Sequence, residues 1–219
     1  MLPPGSRSLP ISDQTIDLIL YGYRHGWFMM GDQDNADQVT WQNPDPRGVF
    51  LIGGMRISRR LARRIRSDCY HATINRDFPG VISACASRPS TWISPAIQQI
   101  YLRLHESGHA HSIEVWESDS FAGGLYGVAI GAVFFGESMV STRADGSKVA
   151  LANLMHHLNA TGFMLLDTQY PTPHLASLGG IAIPRQTYLD LLVPCIDRPG
   201  TDFLSRPLPQ SGKAILGED

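Results

Sequence analysis

Three strand-like runs, Ser112 to Glu117, Gly123 to Ile130 and Val133 to Ser141, follow one another with links too short to carry a crossover. Parallel neighbours need about a dozen or more connecting residues, so these runs predict an antiparallel meander. After Gly146-Ser147 the apolar period of Val149, Ala152, Leu154, Met155 and Leu158 reads as a helix ending at Gly162, and Phe163 to Gln169 reads as a further strand. Strand, helix and strand make a β-α-β unit, for which the crossover is right-handed. The expected fold class is therefore α/β, in the α+β sense of a mixed sheet flanked by helices.

The remaining elements are read from their caps. Asp13 to His25 is an expected helix with Ser12 as N-cap, Ile16, Ile19, Leu20 and Tyr23 on one face, and Gly26 closing it. A polar loop, Gly31 to Asp37, leads to Asn43-Pro44-Asp45-Pro46, where the prolines remove backbone donors that a continuous element needs. That turn places a domain boundary, with a small N-terminal domain over residues 1–44 and a larger one over 45–219. Ser58 caps a helix with Leu61 and Ile65 inward, and Ser94-Pro95 starts another whose buried stripe is Ile97, Ile100, Tyr101 and Leu104. The tail from Pro194 reads as irregular.

Composition excludes several classes. A hydrophobic share of 43% and a charged share of 17% fit a folded chain rather than a disordered one. The longest apolar stretch, Leu125 to Phe135, is interrupted by Gly127 and Gly131 and is too short to span a bilayer, and no apolar core follows Met1 to Ser8 as in a secretory signal. A cytoplasmic protein without membrane contact is expected. Cys69, Cys85 and Cys195 have neither disulfide nor zinc spacing, and His105, His109, His111, His156 and His157 lack a recognisable ligand pattern, so no metal is expected. The GxSxG, GxxxxGK[ST] and GxGxxG motifs are absent.

Net charge is only -2, but six arginines and no acid lie between Arg56 and Arg66. On the helix after Ser58, Arg59, Arg60, Arg63 and Arg64 project away from the apolar face. A one-signed arginine face suits phosphate, because the guanidinium fork matches its oxygens.

Two further features resist a packing explanation. Glu137 sits within the apolar Phe134-Phe135-Gly136-Glu137-Ser138-Met139-Val140 strand, where an ionised carboxylate needs a partner or a cavity. Asp167 and Gln169 are two residues apart on a strand and so are expected on one face. A weaker candidate is the turn Arg143-Ala144-Asp145-Gly146-Ser147-Lys148, where a helix N-terminus offers free donors to a phosphate.

Several motifs, in order, carry a resemblance. Asn43-Pro44-Asp45-Pro46-Arg47, Ile57-Ser58-Arg59-Arg60, Thr91-Trp92-Ile93, the run Tyr101 to Trp116, Gly123-Gly124-Leu125-Tyr126-Gly127-Val128, Phe135-Gly136-Glu137-Ser138-Met139, Ser147 to Leu151, Asp167-Thr168-Gln169 and His174 to Gly179 resemble the leucyl/phenylalanyl-tRNA protein transferases. The likeness covers most of residues 13–192. It implies a small N-terminal domain followed by a catalytic domain similar to the Gcn5-related acetyltransferase fold, working without metal or coenzyme; separately, the sequence shows no sign of an obligate oligomer and a monomer is expected. The implied reaction moves leucine or phenylalanine, with methionine a further option, from aminoacyl-tRNA to proteins or peptides beginning with arginine or lysine, marking them for degradation. By the same resemblance Glu137, Asp167 and Gln169 are the catalytic set. Trp92, Leu125, Phe134, Leu154 and Ser141 hold the aminoacyl group and terminal adenosine, and Arg59, Arg60, Arg63, Arg64 and Lys148 meet tRNA.

The chain departs from that family at its start. Only Met1 to Pro10 precede the first helix, where the family has a strand and a Gly-Gly-Asp-Leu segment, so the N-terminal domain reads as truncated. Met30 stands where the family often has an adenosine-side tryptophan, with Trp27 and Trp41 nearby. Two other readings compete: an acetyl-CoA-dependent N-acetyltransferase using the Arg143 to Lys148 turn, and an inactive module that binds tRNA or degrons.

Overall fold

The computed structural model describes residues 11–31, 39–199 and 201–218. The segment Met1 to Ser8 and all but the first residue of the expected polar loop Gly31 to Asp37 lie outside them. In chain order the elements are α1 (Asp13–Arg24), β1 (Phe28–Gly31), β2 (Val39–Gln42), β3 (Arg47–Leu51), α2 (Arg59–Arg66), β4 (His71–Ile74), α3 (Phe78–Ala86), α4 (Pro95–Glu106), β5 (Ala110–Glu117), β6 (Ser120–Ile130), β7 (Val133–Ser141), α5 (Gly146–Ala160), β8 (Leu165–Gln169), α6 (Pro173–Ser177), β9 (Ile181–Ile183), α7 (Arg185–Ile196) and α8 (Gly212–Leu216).

Seven strands form one mixed sheet in the order β4-β5-β6-β7-β8-β3-β9, and β1 pairs with β2 in a separate hairpin. The meander β5-β6-β7 is antiparallel as its short links require, and β7 runs parallel to β8 across the α5 connection. The expected mixed sheet flanked by helices is what forms. Its alternating side chains divide the core in two. Tyr126, Val128, Val133 and Phe135 face α1, α3, α4 and α7, while Leu125 and Phe134 face α2 and α5.

Serine caps do what their chemistry allows. The side chains of Ser12, Ser58 and Ser94 accept from the backbone N–H of Thr15, Leu61 and Ile97, fixing the starts of α1, α2 and α4. The turn at residues 43–46 separates β2 from β3, yet Ile16, Ile19, Tyr23, Phe28 and Met29 share an apolar core with Val49, Phe78 and Tyr101.

The tail corrects its reading. Instead of ending at Pro194, α7 carries that proline inside its last turn and continues to Ile196, and α8 adds another short helix. Burial of Tyr188, Leu192, Cys195 and Ile196 outweighs the one backbone hydrogen bond that proline forfeits.

Candidate active site

A cavity of about 270 Å³ opens where β7 and β8 run side by side. Phe28, Trp92, Leu125, Leu154 and Leu166 make much of its wall apolar, and Glu137 and Gln169 supply polar groups. Trp92, Leu125 and Leu154 are thus brought to one place with two members of the expected catalytic set.

Glu137 is held rather than paired with a cation. Tyr23 donates from α1 to Oε1 at 2.7 Å, Tyr101 donates from α4 to Oε2 at 2.6 Å, and Gln169 Nε2 donates to Oε1 at 3.2 Å. Burial pushes the carboxyl up to about 7, against the tyrosine hydrogen bonds that favour its charged form. A carboxyl in that range changes charge near neutral pH.

Asp167 does not share the cavity with Gln169. Strand β8 ends in a left-handed turn, with Gln169 at φ 58°, so the expected common face is lost at the last residue. Asp167 lies behind the wall, where Arg47 grips it from β3 through Nε at 2.9 Å and Nη2 at 2.7 Å. Tyr188 donates to it at 2.8 Å, and the Gln169 backbone N–H donates at 2.9 Å. Both charged side chains are fully buried. Asp167 therefore holds Gln169 through the main chain, fixing the turn that aims the amide, and does not itself line the cavity.

Other expected residues divide by position. Phe134 is buried against Phe203 in the core it shares with Leu125 and Leu154, and Ser141 is turned to Ser147, bonding its Oγ and its N–H at 2.8 Å each; neither lines the cavity. Arg59, Arg60 and Arg63 are exposed on α2, Arg60 reaching Asp145 at 3.1 Å. Arg64 is turned inward to the Cys69 sulfur and over the Tyr70 ring. Lys148 also binds Asp145, at 3.1 Å.

The Arg143 to Lys148 turn is consequently filled. The Ser147 N–H is taken by Ser141, the Asp145 carboxylate is paired with Arg60 and Lys148, and a Cβ on Gly146 would stand 2.0 Å from the Ala122 carbonyl oxygen. With the Gly146 and Ser147 N–H groups already bonded within the chain, the turn offers pyrophosphate few free donors, which weighs against the acetyl-CoA reading. Among the histidines, His111 stacks on Phe203 and His157 donates from Nε2 to its carbonyl, which is packing.

Tyr23, Arg47, Arg88, Tyr101 and Tyr126 were not singled out as site residues from sequence, although all contact the cavity or its support. Arg47 ends the Asn43 to Arg47 motif, a signal that was available. The tyrosines looked like ordinary positions on apolar helix and strand faces.

Residues 49–193 match the family model for leucyl/phenylalanyl-tRNA protein transferase. The chain belongs to that family. A leucyl/phenylalanyl-tRNA protein transferase from Ruegeria sp. (strain TM1040) is 50% identical over 88% of this chain and 91% of its own length. Another, from Rhodopseudomonas palustris (strain TIE-1), is 48% identical over 83% and 82%. Among solved structures, a GCN5-related N-acetyltransferase from Kribbella flavida is similar at 10% identity with a TM-score of 0.41, over 74% of this chain and 58% of that one, a likeness that carries no argument about function. In this leucyl/phenylalanyl-tRNA protein transferase family member the matched segment holds Trp92, Leu125, Glu137, Leu154, Asp167 and Gln169. Tyr23, Phe28, Met30 and Arg47, which complete the site, precede it.

Proposed function

We propose that this chain transfers leucine or phenylalanine, with methionine a weaker donor group, from aminoacyl-tRNA to the N-terminus of proteins that begin with arginine or lysine. The observation that carries the reading is the apolar cavity of Trp92, Leu125 and Leu154 with Glu137 and Gln169 in its wall. Its apolar wall suits a bulky aliphatic or aromatic side chain, and its polar edge suits an incoming amine.

In the reaction the acceptor's α-ammonium first gives one proton to solvent, the neutral nitrogen attacks the ester carbonyl carbon, the bond to the ribose oxygen breaks, and that oxygen leaves as a hydroxyl with the second proton given up by the nitrogen. The acyl group is already activated, so positioning supplies much of the rate. Gln169 spends its Nε2 on Glu137, which leaves Oε1 to accept from the amine. An amide is too weak a base to remove the proton at neutral pH, so Gln169 orients the nucleophile. Glu137, when ionised, attracts the cationic first residue of the acceptor. Asp167 is a positioning residue in this scheme.

The exposed arginines of α2 meet the tRNA backbone. Arg59, Arg60 and Arg63 are the members of this face that are exposed, so they are the surface to remove. Replacing all three is expected to weaken tRNA binding and to lower the slope of log affinity against log salt by about two, as phosphate contacts release counterions. An unaltered slope would remove this face from the interface.

We take the protein to act as a monomer. Charged tRNA is cytoplasmic, which supports activity in that compartment; among the described residues no helix is long and apolar enough to cross a membrane. Modified acceptors would be routed to degradation. The direct test is transfer of labelled leucine, phenylalanine and methionine from tRNA to peptides beginning with arginine, lysine or alanine. Label confined to the first two peptides supports the reading, and no label with tRNA binding intact would leave an inactive binding module.

A further inference from the structure

Arg88 sits in the segment joining α3 to α4 and lines the cavity. Three hydrogen bonds fix its guanidinium: Nε donates to the Cys85 carbonyl at 3.0 Å, Nη1 to the Met139 carbonyl at 3.4 Å and Nη2 to Ser138 Oγ at 2.8 Å. A guanidinium carries five N–H donors, so about two remain. No carboxylate pairs with this half-buried cation among the described residues, in contrast to Arg47, whose charge is answered by Asp167. A fixed, partly desolvated and uncompensated charge is costly unless an anion arrives.

A second unfilled donor lies in the same wall. The Tyr126 hydroxyl is buried with no hydrogen-bond partner among the described residues. Burial, then the Glu137 charge, holds this phenol well above its usual range, so it keeps its proton. Trp92, four residues beyond Arg88 on the same segment, also lines the cavity with an aromatic face for a base.

We propose that Arg88, with Tyr126, is a phosphate subsite for the terminal nucleotide of the aminoacyl-tRNA, an inference that rests on the transferase reading. Near the reacting ester neither substrate carries a carboxylate, and the acceptor's leading end is cationic. The anion closest to the ester is the phosphodiester on the 5′ side of the terminal adenosine. With the base against Trp92, that phosphodiester is the group that Arg88 meets, and an arginine fork suits its paired oxygens.

The test is calorimetric binding of leucine amide-linked to 3′-amino-3′-deoxyadenosine, with and without a 5′-phosphate. The wild type is expected to bind the phosphorylated analogue about tenfold more tightly, as one charge-assisted hydrogen-bond pair warrants. Arg88→Gln should bring that ratio to about one, Arg88→Lys should keep part of it, and Tyr126→Phe should reduce it several-fold. A wild-type ratio near one, or a ratio that survives Arg88→Gln, overturns the subsite. Because the ratio is read by binding, it is separate from failure of leucine transfer from tRNA, which would strike the transferase reading instead.

Discussion

Arg47→Ala is expected to lose about 3–5 kcal/mol of stability in urea unfolding at pH 7, the cost of leaving a buried carboxylate without its cation. The pair is bidentate and fully buried, Arg47 also donates to the Gly26 carbonyl at 2.9 Å, and its guanidinium lies 4.9 Å from the Phe28 ring centroid and 4.5 Å from that of Tyr188. It therefore fastens three parts of the chain: the β1 entry, β3 and β8. With arginine gone, Asp167 keeps only the Tyr188 hydroxyl and the Gln169 N–H. The double variant Arg47→Met with Asp167→Leu should regain much of the stability, because an apolar pair of similar volume avoids the desolvation cost. It should not regain transfer, since the Gln169 turn has lost the acceptor that holds it. A stability loss below about 1 kcal/mol for Arg47→Ala would show that water reaches the pair, and a fully active double variant would remove Asp167 from the positioning of Gln169.

Those same residues show how far the sequence could be read. The meander and the β-α-β unit were legible because hairpin links and the period of α5 are local signals. The insertion of β3 between β8 and β9 was not, since Arg47-Gly48-Val49-Phe50-Leu51 says nothing of its partners and its pairing lies more than a hundred residues away. Glu137 was legible as a carboxylate in an apolar strand, but its partners were not, because Tyr23 and Tyr101 arrive from separate helices. The common face inferred for Asp167 and Gln169 failed for a backbone reason: alternation holds while the strand continues, and the positive φ of Gln169 ends it one residue too soon. Phe134 was misplaced for a packing reason: it shares a core with the cavity residues Leu125 and Leu154, but its ring is covered by Phe203, which arrives from the distant tail of the chain.

The second large effect concerns Glu137, whose charge the fold opposes and the chemistry uses. Its carboxyl is raised to about 7 from an ordinary 4.5, chiefly by burial. A raised carboxyl makes the native state hold its proton longer than the unfolded chain does, so the stabilisation is complete below about 4.5 and is lost as pH rises through about 7. The full loss is on the order of 3 kcal/mol. Glu137→Gln removes that titration, and its stability relative to wild type should improve from pH 5 to pH 8, read by urea unfolding at each pH. Transfer should move the other way. In the wild type, kcat/KM for an arginine-leading peptide should rise through about pH 7 as Glu137 ionises. Glu137→Gln should be lower by about ten- to a hundredfold, the scale of one lost charged contact with the acceptor, and should lack that limb. The amide would still meet Tyr23, Tyr101 and Gln169, so a stable variant with lost activity and a flattened profile separates the charge from the scaffold. A profile that keeps its rise near pH 7 in Glu137→Gln would assign the titration to another group and leave Glu137 only its hydrogen bonds.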